Sequence, residues 1–160
     1  KVWAWLAPSD NESAFIDLME LKAFKAEVVN GDFEQGLTNW TTWNPVTISS
    51  VEVNSGSQAL QLNGNASVKQ FVDVEPNTSY TVSGFVKVDD PTNSKVVFGV
   101  KDGTDDSLLS KVDVLDANYT QHQLTFLTGP DASSVKIYFW RPKAGQQGAY
   151  LDDVTIVKNP

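Results

Sequence analysis

Beyond residue 27 the chain alternates apolar and polar side chains with period two, and the three-to-four-residue spacing of an amphipathic helix appears nowhere. The pattern is clearest near the carboxyl end. There Val135-Lys136-Ile137-Tyr138-Phe139-Trp140 and Ala149-Tyr150-Leu151-Asp152-Asp153-Val154-Thr155-Ile156-Val157 flank a polar loop, which reads as two antiparallel strands. Period two places Val135, Ile137 and Phe139 on one face and Lys136, Tyr138 and Trp140 on the other. Upstream, the same alternation predicts strands over 46–53, 59–62, 67–74, 80–88, 95–101, 108–114 and 119–127, separated by turn residues such as Ser55-Gly56-Ser57, Glu75-Pro76-Asn77 and Asp102-Gly103. Short strands at this spacing predict an all-β fold, an antiparallel two-sheet β-sandwich.

Phase then sorts the strands into core and surface positions. Tyr80, Val82, Val86, Phe98, Val100, Leu124 and Phe126 form the apolar set, with His122 in the same phase as a core histidine. Phe85, Lys87, Lys101, Gln121, Gln123, Tyr138 and Trp140 turn outward, and Gly99 leaves a hollow among them. If these strands are neighbours in one sheet, that sheet presents flat aromatics mixed with neutral amides. In the last strand Tyr150, Asp152, Val154 and Ile156 share a face, which sets the Asp152 carboxylate in line with core positions. A buried carboxylate needs a cation, a set of backbone donors or a basic partner, and no Lys or Arg adjoins it in this strand. Between the strands, Asn30-Gly31-Asp32-Phe33-Glu34-Gln35-Gly36-Leu37 is turn chemistry around one buried aromatic, and Trp40 and Trp43 sit on the loop that follows. Trp40 is expected to pack on the sandwich edge, and Trp43 to face the sheet that carries Trp140.

The carboxyl-terminal pattern occurs a second time. Lys1-Val2-Trp3-Ala4-Trp5 and Ser13 to Leu21 align without gaps on Lys136 to Trp140 and Gly148 to Ile156, matching aromatics and an Asp at common spacing. Residues 1–26 therefore read as the last strands of a preceding, similar module plus a linker, and 27–160 as one complete module. The alternative is that 1–26 add strands to the same domain.

Composition narrows the function. The net charge of −8 argues against nucleic acid and makes a polyanionic ligand less favoured, although a local lysine cluster overrides a global sign. Five Trp in 160 residues favour a binding surface. No apolar run approaches membrane-spanning length. There is no Cys nucleophile, GxSxG, HExxH or P-loop. The acid pairs Asp89-Asp90 and Asp105-Asp106 lie in polar loops where solvated acids belong. Trp and Tyr rings stack on the C–H faces of sugars while Gln and Lys bond their hydroxyls, so the outward set Trp43, Phe85, Lys101, Gln121, Gln123, Tyr138 and Trp140 is the candidate glycan site. Asp32, Glu34 and Asp152, with the turn at Ser55, form the candidate metal site. Carboxylates and carbonyls without His or Cys suit calcium.

Asn30-Gly31-Asp32-Phe33-Glu34 with Gly36-Leu37 and Trp40, Ser57-Gln58-Ala59-Leu60, Tyr80-Thr81-Val82-Ser83-Gly84-Phe85-Val86-Lys87 and Tyr150-Leu151-Asp152-Asp153-Val154 together resemble carbohydrate-binding modules of the family four, nine, sixteen and twenty-two type. The resemblance covers nearly all of residues 28–157. It implies a jelly-roll β-sandwich, a non-catalytic role, a soluble polysaccharide or oligosaccharide as partner and a structural calcium. It further implies a covalently linked catalytic domain and neighbouring module in a secreted bacterial glycan-degrading enzyme. In such modules residues matching Glu34 and Asp152 or Asp153 ligate the calcium with backbone carbonyls near Asp32 and the Ser55 turn. The expected ligand is a neutral plant or microbial β-glycan, and the expected state is a monomer without membrane insertion. Two rival readings are a structural or adhesive repeat of a bacterial surface protein and a small glycan-active enzyme using Asp or Glu.

Overall fold

The computed structural model describes residues 25–92, 95–142 and 148–160. All but the last two residues of the expected preceding module, 1–26, lie outside the described residues, as does most of the loop before the last strand. The described residues form ten strands in order: β1 Thr41–Trp43, β2 Val46–Ser49, β3 Ala59–Asn63, β4 Ala66–Asp73, β5 Ser79–Val88, β6 Val96–Asp102, β7 Leu108–Val114, β8 Thr120–Leu127, β9 Ser134–Arg141 and β10 Gly148–Lys158. They form two five-stranded antiparallel sheets, β1-β4-β9-β6-β7 and β2-β3-β10-β5-β8. The first is called the front sheet and the second the back sheet.

The period-two pattern forms strands because every second side chain is buried between the sheets. Val68 and Val72 of β4, Val82 and Val86 of β5, Phe98 and Val100 of β6, and Val135, Ile137 and Phe139 of β9 meet there, with Leu60, Leu62 and Leu151 from the back sheet. Burying each such side chain contributes about 1.5–3 kcal/mol before the entropy of ordering is subtracted. The amino-terminal loop closes one edge. Phe33 is fully buried, its ring centroid 5.2 Å from that of Trp40, and the Trp40 indole N–H donates to the Asn30 carbonyl at 2.9 Å. The Asn30 side chain holds the loop, donating to the carbonyls of Gly36 and Thr38 at 3.0 Å each and accepting from the Gln35 N–H at 3.0 Å. Gly31 brings this loop against β10, where the Val154 N–H donates to its carbonyl at 2.9 Å. A Cβ at Gly31 would lie 2.0 Å from the Val154 carbonyl oxygen, so only glycine permits the approach.

Three elements differ from the expected ones. The strand expected over 46–53 stops at Ser49, because its hydroxyl accepts the N–H groups of Val51 and Glu52 at 3.2 and 2.9 Å and turns the chain. The loop expected around Trp43 contains a strand, β1, paired to β4. The last strand also changes phase within itself. A register shift between Asp152 and Thr155, with Asp153 at φ 49°, forms a bulge, so Ala149 and Leu151 enter the core before it and Val154 and Ile156 after it. Tyr150 and Asp152 therefore lie on the outer face of the back sheet, opposite Lys87 and Phe85, rather than in the core with Val154 and Ile156.

Candidate functional site

Directly opposed residues on neighbouring strands share a face, so the register of the front sheet lays its outer side chains in rows. One row runs Trp43, Ser67, Trp140 across β1, β4 and β9. The next runs Thr41, Lys69, Tyr138, Gly99 and Lys111 across all five strands, and a third brings Phe71, Lys136 and Lys101 together. The rows line a groove of ≈ 570 Å³ whose walls include Trp43, Lys69, Lys101, Lys136, Tyr138 and Trp140. Trp43 and Trp140 are two strand spacings apart, about 10 Å. Tyr138 stands two residues from Trp140 on the same strand, about 7 Å away.

Local contacts fix these rings. The Asn44 amide, at φ 62° just after β1, donates to the Asn65 carbonyl at 2.8 Å, and the Asn65 side-chain oxygen accepts the Trp140 indole N–H at 3.4 Å. Asn65 thus ties the ends of the strands that carry both tryptophans. Tyr138 lies across Gly99: a Cβ there would stand 2.4 Å from the ring. The hollow expected at Gly99 is filled by this ring. Burial pushes the Tyr138 phenol up, against the opposing pull of Lys101, so it keeps its proton at neutral pH. Lys101 Nζ lies 5.9 Å from the Tyr138 ring centroid and 2.7 Å from Asp106 Oδ2, while Lys136 pairs with the other Asp106 oxygen. Trp43 and Trp140 keep 53% and 40% of their surface open to solvent, enough for a ring to stack on each.

Of the expected glycan-site residues, the groove therefore gathers Trp43, Lys101, Tyr138 and Trp140. Phe85, Gln121 and Gln123 belong to β5 and β8, and Phe85 opposes Gln121 on the outer face of the back sheet. The two outer faces point in opposite directions with the core between them, so these three do not join the groove. Their outward phase matches the expectation; their sheet does not, because alternation reports only which side faces the core. Residues that sequence reasoning left out of the site are Lys69 and Lys136, with Ser67, Thr41 and Thr42. For Ser67, Lys69 and Lys136 the outward phase on β4 and β9 was the available signal. His122 is half-buried and pairs with Asp116 at 3.0 Å, on the far sheet from the groove.

The expected metal residues lie where the 50–58 segment crosses β10. Asp152 is fully buried and accepts three backbone N–H groups, from Asn54 at 2.9 Å, Ser55 at 3.1 Å and Asp153 at 2.8 Å. Burial pushes the Asp152 carboxyl up in pKa, toward the protonated form, and the Ser55 and Asn54 N–H groups oppose that shift. Ser55 Oγ donates to Asp153 at 2.8 Å. Glu34 accepts the Ser57 hydroxyl at 2.6 Å and the N–H groups of Ser57 and Gln58 at 2.8 Å each, and these donors hold its carboxyl below the ordinary glutamate range. The Asp32 side chain accepts the Glu34 N–H at 3.4 Å. N–H and O–H donors suit carboxylates and oppose a cation, and among the described residues no three acidic or imidazole side chains come together to hold one. As arranged, this corner is a latch complete in itself, one of the three ways a buried Asp152 can be satisfied, and it does not fit the oxygen cage calcium takes.

Known proteins agree with this architecture. A solved structure described as a family 16 carbohydrate binding module superposes with a TM-score of 0.70 at 23% identity, over 81% of this chain and 97% of that one, and shares the fold. Keratan-sulfate endo-1,4-beta-galactosidase of Sphingobacterium multivorum is 30% identical over 81% of this chain and 30% of its own length. Exochitinase 1 of Streptomyces olivaceoviridis is 35% identical over 80% of this chain and 21% of its length. The chain thus spans less than a third of either relative. The carbohydrate binding domain family CBM_4_9 matches residues 25–146, most of the sandwich including both tryptophans of the groove, and the chain belongs to that family.

Proposed function

We propose that this chain is a non-catalytic module that binds a polysaccharide along the front-sheet groove, stacking sugar rings on Trp43, Tyr138 and Trp140 and bonding hydroxyls through the groove's lysines. One observation carries the reading: Trp43 and Trp140, 97 residues apart by their numbers (140 − 43), share one row of the groove with Tyr138 in the row beside it. The groove supports binding without hydrolysis. Glycoside cleavage usually needs two carboxylates flanking the bond, and among the described lining residues there is no Asp or Glu. The relatives' names, a galactosidase and a chitinase, support attachment to a glycan-degrading enzyme and an extracellular setting. Among the described residues no helix is long and apolar enough to cross a membrane. The test is affinity electrophoresis of the module in gels containing β-glucan, mannan, xylan, galactan or chitin derivatives, with reducing ends assayed in parallel. Retardation by at least one polymer without new reducing ends is expected. Free migration in every gel overturns the reading in favour of a structural repeat.

A further inference from the structure

The chain's net charge of −8 pointed to a neutral ligand, yet the groove floor has the opposite sign. Three of the chain's 12 basic residues, Lys69, Lys101 and Lys136, line it, and none of the described lining residues is acidic. They converge from three strands: Lys136 opposes Lys101 across β9 and β6, and Lys69 opposes Tyr138, two residues along β9 from Lys136. Such a cluster in a partly buried groove repels itself. Burial first, then the neighbouring Lys101 and Lys69, lowers the Lys136 ammonium toward its neutral form. The protein's own answer is Asp106, from the turn between β6 and β7, whose two oxygens reach Lys101 and Lys136. Asp106 comes from outside the sheet and keeps 54% of its side chain exposed, so its carboxylate marks the place where an anion sits while leaving it open to exchange. Lys69 makes no ion pair among the described residues; its ammonium lies 5.7 Å over the Phe71 ring.

We propose that the groove takes an acidic polysaccharide, seating one carboxylate or sulfate group of the chain among Lys69, Lys101 and Lys136, in place of Asp106, while adjacent sugar rings stack on Tyr138 and the two tryptophans. The inference rests on the groove being the glycan site. An incoming anion gains charge-assisted hydrogen bonds from donors already gathered, and it displaces a carboxylate held only at the surface. Sulfate and carboxylate share this chemistry, and the experiment separates them.

The module is titrated with two matched pairs, polygalacturonate with its carboxyl-reduced form and a sulfated galactan with its desulfated form. Each titration is run at low salt and at about 1 M salt, where screening shortens to about 3 Å. The acidic member of one pair should bind roughly tenfold tighter than its neutral counterpart at low salt, and the pair that shows this names the group. The preference should vanish at high salt and in Lys69→Gln. Asp106→Asn, which suits the left-handed backbone there (φ 64°), should strengthen binding of the acidic member several-fold by releasing Lys101 and Lys136. Equal or tighter binding of both neutral members overturns the inference and leaves the groove as the glycan site. Acidic binding that survives both Trp140→Ala and Lys69→Gln also overturns it, since the contact is then elsewhere. Failure to bind these polymers and every glycan of the electrophoresis panel removes the underlying reading as well.

Discussion

Removing either tryptophan ring tests the groove most directly, and its size follows from how much ring the groove leaves open. A whole Trp side chain presents about 250 Å². With 53% and 40% of the surface accessible, Trp43 and Trp140 offer about 130 and 100 Å². A sugar stacked on one face covers about half of that, some 65 and 50 Å², which at about 25 cal/mol per Å² amounts to roughly 1.6 and 1.2 kcal/mol. Since about 1.4 kcal/mol is tenfold, Trp43→Ala should weaken glycan binding roughly 15-fold and Trp140→Ala roughly 8-fold. The rings stand about 10 Å apart with a strand between them, so the losses should add, and the double variant should bind about 100-fold more weakly. Isothermal titration against the best polymer of the electrophoresis panel measures this, with thermal unfolding run alongside to show that each variant is folded. Binding within twofold of the unaltered protein in both single variants would refute the groove.

Trp40→Ala should do the reverse, lowering stability by about 3–5 kcal/mol through loss of a ring buried against Phe33, with any surviving folded protein still binding glycan. Asp152→Asn replaces an oxygen that accepts an N–H with an amide that cannot, so it should cost about 1–3 kcal/mol and several degrees of melting temperature in thermal denaturation. Because the latch described at this corner needs no ion, chelation with EDTA should leave the melting temperature unchanged; a fall of several degrees that added calcium restores would establish the metal instead. Glu34 has a lowered carboxyl pKa in the folded state, so its stabilisation is present above the ordinary glutamate value and is lost as pH falls below it. The melting-temperature gap between Glu34→Gln and the unaltered protein should therefore be open at pH 7 and close on acidification.

Period two alone specified a two-sheet sandwich and, in a regular strand such as β9, which side chains face inward: Val135, Ile137 and Phe139 are fully buried, as the alternation requires, and Phe33 and Trp40 close the edge. Alternation is a local property, set by the pleat of one strand, and it survives whatever the neighbours are. Membership of a sheet is not local. Phe85, Gln121 and Gln123 have the same outward phase as Tyr138 and Trp140, but hydrogen bonding assigns β5 and β8 to the back sheet and β9 to the front. One apparent face thereby became two opposite ones. Trp43 shows the converse: its three-residue strand has too little pattern to read, and pairing with β4 alone brings it into the row of Trp140. The bulge at Asp153 is likewise invisible as a period, since one extra residue turns Tyr150 and Asp152 outward while Val154 and Ile156 still enter the core. The charge of the groove was decided last. A net charge sums the whole chain, whereas Lys69, Lys101 and Lys136 meet only because β4, β6 and β9 lie side by side, and a ligand responds to the charges within a screening length of it.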